Sequence, residues 1–305
     1  MGSIKHLASK SEHALLARHV VGREGRCDLC IDDLQVSGLH AELRWTGTMW
    51  EIRDLNSVNG TWVDGRKLEP KEQIPLPAGS TIAFGETADL YELADDSEPL
   101  PIAIGPAGQR QAGEAGLLAI PSPEDPRYTI FQDRGVWTAE FSDGEQRRLA
   151  GRDSVRVDGA VWQLYLPETA PRTLRHHDQQ MPLRAIGLRF SVSRDEEHIE
   201  LDIVHDGRHI RLPARAYWYM LLTLARTRMA DHADETVSDV EEGWVNTHEL
   251  AAMLAVELGL LHQYICRARK TFSRAGVLDF AGLIERRSTT RQLRLGTSQI
   301  EIISL

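Results

Sequence analysis

The chain has 305 residues, of which 42% are hydrophobic and 26% are charged, and its formal net charge is −10. These values are typical of a globular protein of about two domains, and they argue against a chain that coats nucleic acid along its whole length. The sequence lacks an apolar run of about 18 residues, and its N-terminus lacks an apolar signal core. We therefore expect a cytoplasmic protein with no membrane partner.

Residues 14–94 have the pattern of a β-sandwich. Short apolar stretches such as "HAELRW", "MWEIRDL" and "STIAFG" are separated by turns that contain Gly, Asn and Asp. Such spacing is typical of two packed antiparallel sheets. Residues 95–126 are rich in Pro, Gly and acidic residues and have no periodicity, so they predict a linker.

The remainder of the chain divides into a β-rich part and a helical part. Residues 127–167 predict a β-rich subdomain of unknown role, and residues 168–184 predict a loop. Strand patterns return at 185–212, and helical periods begin at about residue 213. The predicted fold class is multidomain: an all-β sandwich, a β-rich middle segment, and an α+β domain over residues 185–305.

The cysteines and one serine–histidine pair raise the question of chemistry. Cys27 and Cys30 have the spacing of half a zinc site, but no second pair completes four ligands. Ser37 and His40 lack an acidic third member and a G-x-S-x-G elbow. We expect packed cysteines, no catalytic residue, no metal and no cofactor, and therefore no enzyme.

Three short motifs occur in order within the predicted sandwich: Gly22-Arg23, Ser37-Gly38-Leu39-His40, and Asn59-Gly60. This arrangement resembles the forkhead-associated (FHA) domain, whose loops at one end of a β-sandwich read phosphothreonine. The resemblance implies that Arg23 grips the phosphate with its planar fork of donors. It implies that Ser37 donates its hydroxyl and backbone N–H to another phosphate oxygen. It also implies that Asn59 holds the peptide main chain with both sides of its amide.

The resemblance assigns structural roles to three further loop residues: Gly22, His40 and Gly60. The His40 ring is expected to tie the loops together by hydrogen bonds, and Gly60 to make the turn that aims Asn59.

Two positions depart from the family pattern. Gly38 stands where the family often has Arg, Lys or Asn, and Val58 where it often has Thr. A lost charge-assisted hydrogen bond costs about 1.5–3 kcal/mol. We therefore expect weakened phosphopeptide affinity or help from a neighbour, for which Arg26 is a candidate.

The C-terminal part predicts three helices. Residues 212–229 fit a helix with Pro213 in its first turn, and the acidic segment 231–242 follows as a loop. Asn246 and Glu249 form an N-x-x-E capping pattern that starts a short helix. The adjacent "HE" is not a zinc-protease motif, because residue 252 is Ala.

The third predicted helix, 260–275, has an apolar face and an opposite cationic face of Gln263, Arg267, Lys270 and Arg274. A hairpin with Arg286, Arg287 and Arg291 follows. This order resembles the winged helix-turn-helix domain of the OmpR/PhoB class. The resemblance implies that the third helix enters the major groove and that the hairpin contacts the DNA backbone or the minor groove. The candidate base contacts are Gln263, Arg267 and Lys270, and the candidate phosphate contacts are Arg274 and the hairpin arginines.

The distribution of charge favours that placement. Residues 243–305 contain eight Arg or Lys and five Asp or Glu, whereas residues 20–94 contain seven and thirteen. The basic excess thus lies in the predicted DNA-binding domain.

These features predict a DNA-binding transcriptional regulator that reads a phosphothreonine signal from Ser/Thr kinase pathways. The expected partners are double-stranded DNA and a phosphothreonine on a kinase, on another protein or on a second copy in a homodimer. The alternative is a phosphopeptide-binding adaptor whose winged domain binds protein. A further hypothesis is that the acidic segment 231–242 folds over the basic helix and mimics DNA; the alternative is a solvated loop.

Overall fold

The computed structural model describes residues 1–85, 89–133, 135–142, 144–167 and 181–305. They divide into two compact units, which are described separately. The first contains Met1–Ala112, Ala150–Val155 and the described part of Val161–Thr173. The second contains Gly113–Leu149, Arg156–Ala160 and the described part of Leu174–Leu305.

The first unit is built on a β-sandwich of two sheets. Its strands are β1 (Ser3–His6), β2 (Glu12–Ala14), β3 (Arg18–Gly22), β4 (Leu29–Cys30), β5 (Ala41–Trp45), β6 (Trp50–Asp54), β7 (Thr61–Val63), β8 (Arg66–Lys67), β9 (Gln73–Pro75), β10 (Thr81–Phe84) and β11 (Leu90–Asp95). One sheet has the order β2-β1-β11-β10-β7-β8, and the other has the order β4-β3-β5-β6-β9.

Alternating side chains explain why these segments form strands. Along β6, Trp50 and Ile52 are fully buried, while Glu51 and Arg53, which alternate with them, are partly exposed. Residues of both sheets, such as Ile82 and Leu43, belong to one apolar core. The period of two thus places one face of each sheet inside the sandwich.

The segment 95–126, predicted to be a linker, contains strands β12 (Ile102–Ile104), β13 (Arg110–Ala112) and β14 (Leu117–Pro121). The linker expectation therefore fails. Each strand is only three to five residues long and lies between Pro- and Gly-rich turns, so no periodicity was visible in the sequence. Strands β12 and β13 form a four-stranded sheet, β13-β12-β19-β18, with β18 (Ser154–Val157) and β19 (Ala160–Tyr165).

The second unit begins with an antiparallel sheet of four successive strands, here called the cover sheet. Its strands are β14, β15 (Pro126–Asp133), β16 (Val136–Phe141) and β17 (Gln146–Arg148), and each pairs with the next.

Three helices follow later in the chain: α1 (Trp218–His232), α2 (Thr247–Met253) and α3 (Leu258–Arg274). Helix α1 begins six residues after the predicted start at 212, although the indole of Trp218 still donates to the Pro213 carbonyl at 3.0 Å. Helix α2 is capped as predicted, because the Asn246 side chain accepts from the backbone N–H of His248 at 2.9 Å. No single described helix is long and apolar enough to cross a membrane, and α2 and α3 reach that length only as a pair bent by 92°.

Three small sheets complete the second unit. The described strands are β20 (Met181–Pro182), β21 (Gly187–Val192), β22 (Ile199–His205), β23 (Arg208–Arg211), β24 (Val245–Asn246), β25 (Val277–Leu278), β26 (Ile284–Arg287), β27 (Gln292–Leu295) and β28 (Ile300–Ser304). Their orders are β23-β22-β21-β28, β24-β27-β26 and β20-β25. Strand β28 pairs with β21 in parallel, so the two ends of this region meet in one sheet. The apolar sides of all three helices contribute to one core that includes Leu221, Leu250 and Phe272.

Candidate functional site

Three loops of the first unit, which follow β3, precede β5 and follow β6, are joined by hydrogen bonds. The backbone N–H of Arg23 donates to the Ser37 carbonyl at 3.0 Å, and that of Glu24 donates to the Gly38 carbonyl at 3.1 Å. Gly22 is needed for this approach, because a Cβ there would lie 2.2 Å from the Gly38 carbonyl oxygen.

His40 links the second loop to the third. Its ring is fully buried, and Nδ1 accepts from the Ser37 backbone N–H at 3.0 Å. Nε2 therefore carries the proton and donates to the Gly60 carbonyl at 3.0 Å. Burial lowers the pKa of His40, although the bond to Gly60 opposes this, so the ring is held neutral. The ring has the loop-tying geometry that the family resemblance implies.

The same bond corrects one expectation for Ser37. Its backbone N–H is occupied by His40 and does not face a ligand. The Ser37 hydroxyl oxygen accepts from the Val58 backbone N–H at 3.0 Å, so the hydroxyl proton is still available for donation.

Asn59 is also more constrained than expected. Its side-chain nitrogen donates to the Gln35 carbonyl at 2.8 Å and to the Gln35 side-chain oxygen at 2.9 Å. The amide is thus fixed in orientation, and only its oxygen remains to accept from a ligand. The family resemblance implies that the Asn59 amide binds a peptide main chain through both its nitrogen and its oxygen, but only the oxygen is available.

A buried carboxylate that the sequence analysis did not select shapes the third loop. Asp54 accepts from the Ser57 N–H at 3.0 Å, from the Ser57 hydroxyl at 2.6 Å and from the Thr61 hydroxyl at 2.7 Å. Burial would raise the pKa of Asp54, but these hydrogen bonds lower it below its ordinary value. Gly60 completes the turn with φ of +86°. The spacing of Asp54 and Ser57, typical of a side-chain-stabilised turn, is the signal that could have found this group.

Arg23 is exposed, and its guanidinium has no side-chain partner among the described residues. Arg26 is exposed as well, but its Nε forms an ion pair with Glu24 at 2.5 Å. Glu24 also covers Gly38, since a Cβ at Gly38 would lie 2.5 Å from Glu24 Oε1. Glu24 thus lies between Arg26 and Gly38, the position where the family often has a polar side chain.

The two neighbouring cysteines serve the same loops. Cys27 Sγ donates to the Gly38 carbonyl at 3.2 Å, and Cys30 Sγ donates to the Arg23 carbonyl at 3.4 Å. Burial raises the pKa of the Cys27 thiol, so it remains protonated. In the described parts of the chain, no group of three or more His, Cys, Asp or Glu residues could hold a metal ion.

In the second unit, the cover sheet lies on α3. Leu117 and Ala119 of β14 pack against Cys266, and the Thr129 hydroxyl of β15 lies 3.2 Å from His262 Nε2. The helical period of α3 predicts that its side opposite the core is free. The cover sheet instead buries the flank of α3 between that side and the core, where His262 and Cys266 lie.

Several predicted DNA contacts on α3 have partners in the segment Gly113–Leu149, which contains the cover sheet. Gln263 donates to the Glu124 carbonyl, and Lys270 and Arg274 both form ion pairs with Glu114. Arg267 is exposed. The four side chains therefore do not form the free cationic face that the helical wheel predicts.

A buried ion cluster joins the cover sheet to α3 and to the hairpin. Glu140 of β16 is fully buried and lies 3.0 Å from Arg269 Nη1 and 2.9 Å from Arg286 Nε. Gln146 donates to its other oxygen at 2.9 Å. Burial would raise the pKa of Glu140, but the two guanidinium groups lower it to about 2. Arg286, predicted to contact DNA phosphates, has a side chain that is only 4% exposed.

The other hairpin arginines differ from each other. Arg287 forms an ion pair with Glu241 at 2.5 Å and lies over the Trp244 ring at 4.2 Å, whereas Arg291 is exposed at the turn. Glu241 belongs to the acidic segment 231–242. Its ion pair is with the hairpin and not with α3, so it gives no support to the hypothesis that this segment covers the basic helix.

Comparison with known proteins identifies one family. The family model of the FHA domain matches residues 19–85. Nuclear inhibitor of protein phosphatase 1 from Homo sapiens is 33% identical over 145 residues, which are 43% of this chain and 41% of that protein. Oxoglutarate dehydrogenase inhibitor from Corynebacterium jeikeium is 40% identical over 65 residues, which are 21% of this chain and 43% of that protein. The chain thus spans less than half the length of these relatives.

Solved structures give similar matches. The FHA domain of the CT664 protein from Chlamydia trachomatis is 30% identical with a TM-score of 0.28, and the match covers 32% of this chain and 98% of that chain. Mycobacterium tuberculosis EmbR in complex with a low affinity phosphopeptide is 26% identical with a TM-score of 0.29, and the match covers 32% of this chain and 25% of that chain.

Proposed function

Residues 19–85 form an FHA domain, and from this premise we propose that the chain binds phosphothreonine through Arg23, Ser37 and Asn59. The exposed Arg23 guanidinium, free of side-chain partners among the described residues, carries the proposal. A phosphate dianion would receive its charge-assisted hydrogen bonds and one from the Ser37 hydroxyl. The Asn59 oxygen would accept from a peptide N–H. This is a binding function without catalysis.

The preformed loops support this assignment energetically. Hydrogen bonds within the protein fix the three loops: those of the His40 ring, those of the Asp54 carboxylate, and the backbone bonds that join the first two loops beside Gly22. A ligand would then not need to order these loops on binding.

The test compares binding of a phosphothreonine peptide pool with binding of the same pool after dephosphorylation. Arg23→Ala should abolish the preference for the phosphorylated pool. Arg66→Ala is the matched control, because it removes an exposed arginine that pairs with Glu72 instead. Equal loss in the two variants, or no preference in the wild type, contradicts the proposal.

For the whole protein, we propose a transcriptional regulator in which the second unit binds double-stranded DNA as a winged helix-turn-helix. The order of three helices followed by the β26–β27 hairpin supports this, as does the exposure of Arg267 and Arg291. A phosphothreonine on a kinase, on another protein or on a second copy would then supply the signal. Retention on double-stranded DNA at low salt tests it, with Arg267→Ala and Lys270→Ala combined expected to weaken retention.

The adaptor alternative is favoured by a specific observation. Five of the seven predicted DNA contacts already have partners within the chain: Gln263, Lys270, Arg274, Arg286 and Arg287. If the combined Arg267→Ala and Lys270→Ala variant is retained on DNA as well as the wild type, the second unit is better explained as a protein-binding domain.

A further inference from the structure

We propose that Glu24 controls phosphate affinity by holding Arg26 away from the phosphate, and that ligand binding transfers Arg26 from the Glu24 carboxylate to the phosphate. This inference rests on the proposed phosphothreonine function. It assigns Arg26 as a second cation of the site and Glu24 as the residue that restrains it.

The placement of the two side chains carries the inference. Glu24 follows Arg23 directly, and its backbone N–H is bound to the Gly38 carbonyl. One carboxylate oxygen lies 2.5 Å from the point where a Cβ of residue 38 would stand, and the other lies 2.5 Å from Arg26 Nε. The Arg26 guanidinium is therefore anchored beside the loop that carries the Ser37 hydroxyl.

Both side chains are free to rearrange. The Arg26 side chain is 70% exposed and the Glu24 side chain is 46% exposed, so the pair is a solvated one. Exposed ion pairs are weak, about 0.2–1 kcal/mol, whereas a guanidinium bound to a dianionic phosphate forms shorter and stronger bonds. A phosphate held by Arg23 would thus compete successfully with Glu24 for Arg26.

Glu24 also lowers the affinity for phosphate directly. Its negative charge beside Gly38 repels an incoming phosphate. Replacing Glu24 by Gln removes the repulsion and releases Arg26, so both effects raise affinity. Only the release requires Arg26, so the affinity change in a background without Arg26 separates the two effects.

The experiment is a double-mutant cycle in the full chain with Glu24→Gln, Arg26→Gln and the combined variant. The probe is the phosphothreonine peptide pool, with the dephosphorylated pool as reference. We expect Glu24→Gln to tighten binding by about three- to fivefold and Arg26→Gln to weaken it by a similar factor. In the Arg26→Gln background, Glu24→Gln should change affinity by less than about twofold.

The outcomes separate this inference from the proposed function. If Glu24→Gln tightens binding equally in both backgrounds, Glu24 acts only by repulsion and the restraint of Arg26 is overturned. A loss of affinity in Glu24→Gln also overturns it, because Glu24 would then position Arg26 instead of restraining it. Absence of any phosphate preference in the wild type overturns the proposed function itself.

An independent set of contacts in the second unit supports a second inference: we infer that the cover sheet blocks DNA binding until it leaves α3. This rests on the proposed DNA-binding function. Leu117, Ala119 and Thr129 lie against α3, and Glu114 holds both Lys270 and Arg274. A duplex approaching this side of the helix would meet the sheet.

The test removes the ion pairs that join Glu114 to α3. Glu114→Gln should release Lys270 and Arg274 and increase retention on sheared double-stranded DNA at low salt by about fivefold. Glu196→Gln is the matched control, because Glu196 is similarly exposed and pairs with Arg226, which is not a predicted DNA contact. If the two variants have equal effects on retention, or no effect, the inference that the cover sheet blocks DNA binding is overturned. If the wild type and both variants all fail to bind DNA, the DNA-binding proposal is overturned as well.

Discussion

The most informative perturbation of the second unit is Glu140→Gln. The carboxylate lies within 3.0 Å of nitrogen atoms of both Arg269 and Arg286, and neither Glu140 nor Arg269 is more than 1% exposed. The change keeps the shape of the side chain but leaves two guanidinium groups without their shared counter-charge. Breaking a buried ion pair in this way costs about 3–5 kcal/mol.

The pKa of Glu140 gives a similar value for the free energy that the ion cluster contributes to folding. The two arginines lower the pKa of Glu140 from 4.5 to about 2. A difference of that size between the unfolded and folded chains corresponds to about 3 kcal/mol of stability at neutral pH. Because the folded pKa is the lower one, this contribution is complete above about 4.5 and is lost as the pH falls towards 2.

Amide hydrogen exchange in the full chain measures the effect locally. In Glu140→Gln we expect β16, α3 and β26 to lose protection equivalent to about 3 kcal/mol, while the FHA domain keeps its own. Asp133→Asn is the control, because it removes an exposed carboxylate from the end of the adjacent strand. If the two variants lose protection equally, the buried cluster does not hold the cover sheet on α3.

Four further outcomes are expected. Gly60→Ala should destabilise the FHA domain by about 1–2 kcal/mol in urea unfolding, because φ at this position is +86°. Asp54→Ala should cost about 2–4 kcal/mol in the same assay, since three hydrogen bonds lose their buried acceptor. Asn246→Ala should reduce protection of α2 from hydrogen exchange by about 1 kcal/mol through loss of the cap. The free energy of unfolding of the FHA domain should decrease as the pH falls below 6.5, because burial lowers the pKa of His40, and that of His19 to about 3, and both rings therefore bind protons more weakly in the folded chain than in the unfolded chain; a flat profile from pH 7 to pH 5 contradicts this.

The FHA domain was predictable because its signals are local. Gly22, Ser37, His40 and Gly60 stand at turns between short strands, and each turn has its own residue preference. Their hydrogen-bond partners were not predictable. Whether the Ser37 N–H faces a ligand or His40 depends on how three loops meet, and spacing along the chain does not encode that.

The helices show the same division. The helical period of 260–275 and the cap at Asn246 depend on neighbours within a few residues, so the sequence predicts three helices and a hairpin, with an error of six residues at the start of α1.

Which side of α3 is free depends on distant residues. A helical wheel assigns charged residues to solvent, yet Arg269 is buried against Glu140, which lies 129 residues earlier in the chain. The cover sheet could not be predicted from the sequence, because its first strand lies in a segment with the composition of a linker. The sequence by itself thus determined the local elements and the loop motifs of the FHA domain, through short-range backbone and turn preferences. Only the tertiary structure decided which charges are paired and which surfaces are covered, because buried ion pairs join residues that no local pattern relates.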